Sequence, residues 1–295
     1  MPTSNTSAGP TLELVRENKI ADLLPDEGIG RWEASGVHAR GQYLYVIFDN
    51  LPHIARFHGS LKAGHRHNIL VRQRGEAADF EDITYHPVDR RFLIIIEARS
   101  DPKDGSRPAI EEYDEDLRYL DRAIVDFPVE SRNKGLEGVV CVRRGADDYV
   151  LGLCEGNKCR GGAKGRKPGG GRIQIFQKAG GAWLHRGTIK LPKSVQFEDY
   201  AAVDVDGNRI AVVSQASSAL WIGTFEDGSW SFADDGTVYR FPTDDNGDRS
   251  YFNIEGVAWL PPDKIAAVSD KRKKGDQPKA AKRKDQSIHI FRIPG

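Results

Sequence analysis

The sequence predicts an all-β fold, a five-bladed β-propeller of four-stranded antiparallel blades whose ring is closed by an N-terminal strand. Three observations carry that expectation. First, a short motif recurs in which a polar, usually acidic residue stands just ahead of an apolar strand. It occurs at Ala34-Ser35-Gly36-Val37, Phe80-Glu81-Asp82-Ile83, Leu136-Glu137-Gly138-Val139, Phe197-Glu198-Asp199-Tyr200 and Ile254-Glu255-Gly256-Val257, in steps of 46, 56, 61 and 57 residues. Steps of that size mark a repeat architecture. Second, short apolar stretches bounded by Gly, Asn, Asp and Pro fill the intervals, which is the texture of strands and tight turns. Third, the last repeat is one strand short, and an orphan strand at residues 11–15 can complete it, sparing the ring an open edge.

Taken in order, residues 36–39, 43–48, 54–57 and 68–71 make the first blade, with Gly41-Gln42 as the tight turn. The second runs through 83–85, 92–96, 110–113 and 123–127, turning at Pro87-Val88-Asp89. The third uses 139–142, 149–154, 172–176 and 188–191, and the fourth uses 201–205, 210–214, 219–225 and 237–241, turning at Asp206-Gly207-Asn208. The fifth has 257–259, 265–269 and 287–291, turning at Pro261-Pro262-Asp263. A two-sheet sandwich is the rival all-β fold, but it gives no reason for a polar residue at one place in every repeat. The expectation is a single domain over 11–295 behind a disordered head, 1–10, rich in Ser, Thr, Gly and Pro. Trp32, Trp221 and Trp259 are expected between blades, and Trp183 and Trp230 on surface strands.

Composition narrows the classes. With 295 residues, 39% of them hydrophobic, the chain can bury a full core. Its 43 basic and 43 acidic residues cancel, so no global charge draws it to nucleic acid or to a membrane surface. No apolar run is long enough to span a bilayer. Three cysteines are few and odd in number; a disulfide is not expected, and a reducing, cytoplasmic setting is. A monomer is expected.

The strand register gathers the polar residues into two tiers. A tight turn joins the first two strands of each repeat, so antiparallel pairing sets the start of the first beside the end of the second. Those ends carry Asp49, Glu97, Glu155, Gln215 and Asp270. First strands line a propeller's channel, so Ser35, Glu81, Glu137, Glu198 and Glu255 form an inner ring and the strand-end residues a wider mouth. Acidic residues ahead of strands often only cap turns or pair with a nearby Arg, and for any one Glu that explanation suffices. Five equivalent positions ask for more. Carboxylates converging in a channel raise one another's pKa unless a cation compensates. Ca²⁺ accepts about six to eight oxygens in loose geometry, whereas Zn²⁺ prefers nitrogen and sulfur. None of the eight His residues falls at a ring position.

Glu33-Ala34-Ser35-Gly36-Val37 and the Glu-Gly-Val repeats at Glu137 and Glu255 resemble the calcium-centred propellers: the calcium-activated nucleotidase (apyrase) family, the phytase-like esterase domains and the SdiA-regulated proteins. The resemblance implies a central Ca²⁺ held by Ser35, Glu81, Glu137 and Glu255. Glu198 stands where the family pattern has a second Ser. The longer nucleotidase signatures are absent, so the resemblance does not extend to nucleotide hydrolysis.

Two basic loops leave the second strands on the same face, 157–172 and 271–284, and Arg99 and Lys103 occupy the matching loop of the second repeat. A solvated, mobile loop is the plain reading for their tips. Near the strand ends, Arg99, Lys158, Lys271 and Arg272, with Asp270, are candidates for binding a small anionic substrate. Lys167 is followed by Pro168, so the Gly-rich loop is no P-loop. The leading expectation is therefore a Ca²⁺-dependent hydrolase of a phosphate ester or related anionic ester, with Glu97, Glu155 or Asp49 as general base. The alternatives are a binding propeller whose Ca²⁺ is purely structural and, behind it, a glycosidase with paired carboxylates.

Overall fold

The structure is a computed structural model describing residues 9–24, 28–73, 79–101, 105–130, 135–272, 277 and 279–295, without the side chains of 97–101, 105, 279 and 280. Among the described residues it is all-β and mostly antiparallel. The first quartet of strands is β2 (Ala34–Arg40), β3 (Tyr43–Phe48), β4 (Leu51–His58) and β5 (Ile69–Arg72). The second is β6 (Phe80–His86), β7 (Arg91–Asp101), β8 (Gly105–Tyr113) and β9 (Tyr119–Asp126), and the third β10 (Leu136–Arg144), β11 (Asp147–Cys154), β12 (Arg172–Ala179) and β13 (Ala182–Lys190). The fourth is β14 (Ala202–Asp206), β15 (Arg209–Ser214), β16 (Ala219–Thr224) and β17 (Thr237–Arg240). The last combines β18 (Ile254–Leu260), β19 (Lys264–Ser269) and β20 (Ser287–Arg292) with β1 (Glu13–Lys19), the first strand of the chain.

By hydrogen bonding these make four sheets, because β9 and β13 pair in parallel at Trp183↔Val125 and Leu184↔Asp126 and join the second and third quartets into one eight-stranded sheet. That pairing buries Trp183 to 2% exposure, against its expected surface position. The first strands touch in cyclic order, β2 to β6, β10, β14, β18 and back to β2. Hydrophobic clusters fill the interfaces in the same order. Tyr45, Phe80 and Phe92 pack between the first and second quartets; Ile95, Leu136 and Phe176 between the second and third. Leu151, Tyr200 and Trp221 follow, then Leu220, Trp259 and Phe291, and finally Val46, Ala258 and Ile288 beside Trp32. Trp221 and Phe291 are fully buried, and burial of one such side chain stabilises by about 2–3 kcal/mol.

β1 closes the arrangement by pairing with β20 along Glu13–Lys19, as the orphan strand was expected to do, though it lies slightly later than residues 11–15. Residues 1–8 of the expected head lie outside the described residues; Pro10 O accepts a hydrogen bond from Arg240 N at 2.9 Å. The expectation of no disulfide is overturned. Cys154, at the end of β11, is bonded to Cys159 in the following loop, with 5.1 Å between the Cα atoms, and only Cys141 is a free thiol. The inference from cysteine count to a reducing compartment loses its premise. No helix among the described residues is long and apolar enough to cross a membrane.

Candidate functional site

Four of the first strands begin with a β-bulge, and the bulged residue is a ring candidate each time. The register slips between Ala34 and Gly36, between Phe80 and Asp82, between Leu136 and Gly138, and between Ile254 and Gly256. Ser35, Glu81, Glu137 and Glu255 are thus the extra residues, and a bulge bends its strand and re-aims a side chain. The residue after the bulge is a glycine in three of the four strands, because the inner strands nearly touch there. A Cβ on Gly256 would stand 2.9 Å from Val37 N, and one on Gly138 2.9 Å from Val203 N. Asp82 takes that place in β6 and turns the contact to use: its carboxylate accepts hydrogen bonds from Ile83 N at 2.8 Å and from Val139 N, on the neighbouring strand, at 2.9 Å.

These bulges line one cavity of about 60 Å³. Its walls are Ser35, Glu81, Glu137 and Glu255 together with Glu155, Asp199, Tyr200, Ala201 and Gln215. About 10–15 Å³ of such space admits a water, so the cavity has room for a cation and a few waters. Ser35 Oγ donates to Phe80 O at 2.5 Å, which spends its proton and leaves its lone pairs as acceptors. Gln215 Nε2 donates to Glu255 Oε1 and Asp199 Oδ1 accepts from Ser214 Oγ at 2.6 Å and Ala216 N at 3.0 Å.

Glu198 is not in this cavity. It is exposed, and its backbone N–H meets Ser217 Oγ at 3.1 Å. The fourth quartet is offset by three residues from the expected motif: Ala202 pairs with Val213, and Ala201 N donates to Val213 O at 2.9 Å. The residues equivalent to Leu136-Glu137-Gly138-Val139 are therefore Tyr200-Ala201-Ala202-Val203. Ala201 brings no ligand, and Asp199 supplies the carboxylate from upstream. The signal that finds this is the valine, since Val203 matches Val37, Val139 and Val257 in the sequence. Asp199 was missed for the same reason.

Glu155 and Gln215 line the axial cavity. Asp49 is exposed in the turn after β3, and Asp270, after β19, is buried with its carboxylate accepting the N–H of Lys271; neither is part of the lining. The side chains of Glu97 and Arg99 lie outside the described residues. Lys158, Lys271 and Arg272 do not line the axial cavity. Lys158 is exposed at a left-handed backbone position (φ 58°), and Lys271 O is held by Asn253 Nδ2. Arg272 folds back onto Gln277 O at 2.8 Å. Arg160 and Arg166 line a second cavity of about 710 Å³, with Glu155, Gly156, Gly162, Gly165, Glu198, Asp199, Gln215 and Ala216. The two cavities share Glu155, Asp199 and Gln215.

Two carboxyls on the first strands, Asp82 and Asp204, are buried. Burial raises the Asp82 pKa well above the usual carboxylate range, against the pull of its backbone hydrogen bonds. Burial likewise pushes Asp204 up to about 7, although its Oδ2 accepts from Trp259 N at 2.7 Å.

The donors around the axial cavity are hydroxyl, carboxylate and amide oxygens, with no imidazole or thiolate in its lining. Such a set fits Ca²⁺ and not Zn²⁺. Among the described residues no three His, Cys, Asp or Glu side chains are gathered tightly enough to clasp an ion.

No protein-family profile matches the sequence, and no curated protein does. Solved structures do. Glutaminyl cyclase from Myxococcus xanthus superposes with a TM-score of 0.58 at 9% identity over 98% of this chain and 100% of that one. The PQQ-bound aldose sugar dehydrogenase from Streptomyces coelicolor gives 0.52 at 13% over 97% and 99%. The calcium-binding protein regucalcin from Agrobacterium tumefaciens gives 0.51 at 11% over 96% and 95%. At such identities the likeness concerns fold alone. The chain is an all-β protein of the β-propeller type.

Proposed function

We propose that the chain is a five-bladed propeller that binds Ca²⁺ on its axis and hydrolyses a phosphate ester or related small anionic ester in the cavity beside it. The observation that carries this reading is that Ser35, Glu81, Glu137 and Glu255, from four strand quartets, line one small cavity with Glu155 and Asp199. In this reading the quartets are the blades, and the parallel seam at Trp183↔Val125 joins two of them edge to edge. That one similar structure is described as a calcium-binding protein agrees with it. Ser35, Glu81, Glu137, Asp199 and Glu255 hold the ion. Bound there, it supplies Lewis acidity toward an anionic oxygen. Glu155, bordering both cavities, takes a proton from the attacking water, in the role of general base. The Ser214 Oγ and Ala216 N bonds fix Asp199 between the two cavities.

A second reading has its own support. The ring residues sit where inner strands approach most closely, so an ion there also cross-links the blades and can be purely structural. One experiment separates the two. Phosphate esters, lactones and aryl esters are assayed with and without Ca²⁺ while melting is followed in parallel. The hydrolase reading expects both turnover and melting temperature to fall with a chelator, and turnover but not Ca²⁺ affinity to fall in Glu155→Gln. Melting that responds to Ca²⁺ with no turnover on any substrate leaves the structural ion.

A further inference from the structure

We infer that the ligand of this site carries two acidic groups, one facing the axial cation and the other held by Arg160 and Arg166; this rests on the axial Ca²⁺ reading above. The second cavity opens directly off the first, because Glu155, Asp199 and Gln215 line both. A molecule with one end at the axial ion therefore extends into the space that the two arginines border.

The segment bearing those arginines is built, not draped. The Cys154–Cys159 disulfide ties its start to the end of β11. Asn157, 1% exposed, is its hub: Nδ2 donates to Gly165 O at 2.8 Å and Phe197 O at 3.0 Å, while Oδ1 accepts from Gly170 N at 2.8 Å and from the Tyr200 hydroxyl at 3.0 Å. A Cβ at Gly156 or at Gly165 would fall 2.0 Å from Arg160 O, so both glycines are packed against that carbonyl. The backbone from which Arg160 projects is thus gripped from two sides.

Of the three carboxylates in the cavity lining, Glu198 and Asp199 lie in the field of the Arg249 guanidinium. Asp199 is occupied by Ser214 Oγ and Ala216 N. Glu155 belongs equally to the axial cavity. Both arginines are exposed in the cavity wall, and no ion pair commits either guanidinium to a carboxylate among the described residues. A guanidinium offers a planar fork that matches phosphate or carboxylate, and two forks on one wall favour a doubly charged group. The ligand class is then a small molecule with two phosphate or carboxylate groups joined by a short spacer.

The test is calorimetric titration of the protein, held at saturating buffered Ca²⁺, with α,ω-alkane bisphosphonates of two to five methylenes and with ethylphosphonate. One spacer length is expected to bind at least tenfold tighter than ethylphosphonate. In Arg160→Ala/Arg166→Ala that advantage disappears, while affinity for Ca²⁺ and for ethylphosphonate is unchanged; Arg→Lys at both positions restores part of it. If Ca²⁺ binds but no spacer length exceeds ethylphosphonate, the two-point recognition is wrong and the axial reading stands. An advantage that survives the double alanine variant overturns the assignment to these arginines. Failure to bind Ca²⁺ removes both readings together.

Discussion

The Glu17 carboxylate and His289 Nδ1 lie 3.0 Å apart although 272 residues separate them in the chain. They face each other across the β1–β20 pairing, the closure between the first and last strands. Lys284 adds a second bond to Glu17, and Ser269 Oγ lies 3.0 Å from His289 Nε2. The row Ser269–His289–Glu17 has the order of a hydrolytic triad, but Ser269 is 3% exposed and its hydroxyl also meets the Lys284 carbonyl. It stitches three strands together instead.

Burial works to raise the Glu17 pKa, yet the bonds from His289 and Lys284 prevail and hold it at about 2. Burial lowers that of His289, opposed by Glu17. Both folded-state values lie below their unfolded ones. The stabilisation is therefore complete above the unfolded value of each group and is lost as pH falls, first through the range of the histidine and then from about 4.5 toward 2. Glu17→Gln is expected to lower the melting temperature at pH 7 and to flatten its acid limb, measured by circular dichroism between pH 2 and 8.

Ca²⁺ binding should depend on the bulge residues and not on their neighbour in sequence. Glu137→Gln and Glu255→Gln are expected to weaken calorimetric Ca²⁺ affinity by about tenfold or more, a scale that even outer-shell partners of a metal reach. Glu198→Gln should change it little. In wild-type protein, Ca²⁺ at about 100 times Kd should add about 2.7 kcal/mol to unfolding.

Asp204 makes the opposite prediction for pH. Its folded-state pKa is raised to about 7 from an ordinary 3.8, so its ionisation penalises the fold. The penalty is absent below the unfolded value and grows as pH rises from about 4 to 7. Asp204→Asn, which keeps an acceptor for Trp259 N, is expected to remove this component of the slope in urea unfolding across that interval. A slope identical to wild type would count against it.

Reduction of Cys154–Cys159 frees a short loop. The entropic estimate for closing so few residues is about 2 kcal/mol. Cys154→Ser/Cys159→Ser should lower stability by about that amount in denaturant titration. It should also weaken ethylphosphonate binding less than it weakens the preferred bisphosphonate, because the arginine wall is the part released.

Strand positions were legible because each apolar run ends at a turn that Gly, Asn, Asp or Pro makes explicit. That Ser35, Glu81, Glu137 and Glu255 come to one cavity was legible, because at each a small or acidic residue and then Val or Ile follow the bulge. The equivalent position was illegible in the fourth quartet because Phe197-Glu198-Asp199 copies Phe80-Glu81-Asp82 letter for letter. Only the pairing of Ala202 with Val213 reveals the offset. The segment after β11 reads as a solvated basic loop because what orders it is remote: Asn157 finds Phe197 and Tyr200 some forty positions on. No local pattern announces such a hub, and composition pointed away from the disulfide that accompanies it.

The contact of β9 with β13 makes the joints between wedges unequal. At Trp183↔Val125 and Leu184↔Asp126 two strands pair main chain to main chain across a boundary, whereas the main chain of the fourth quartet meets the segment before β1 through the single Thr11↔Arg240 bridge. Thermal breathing, read as amide exchange, should then concentrate at the other boundaries. The two stitched quartets would behave as a single rigid arc, with the other strands hinging against it.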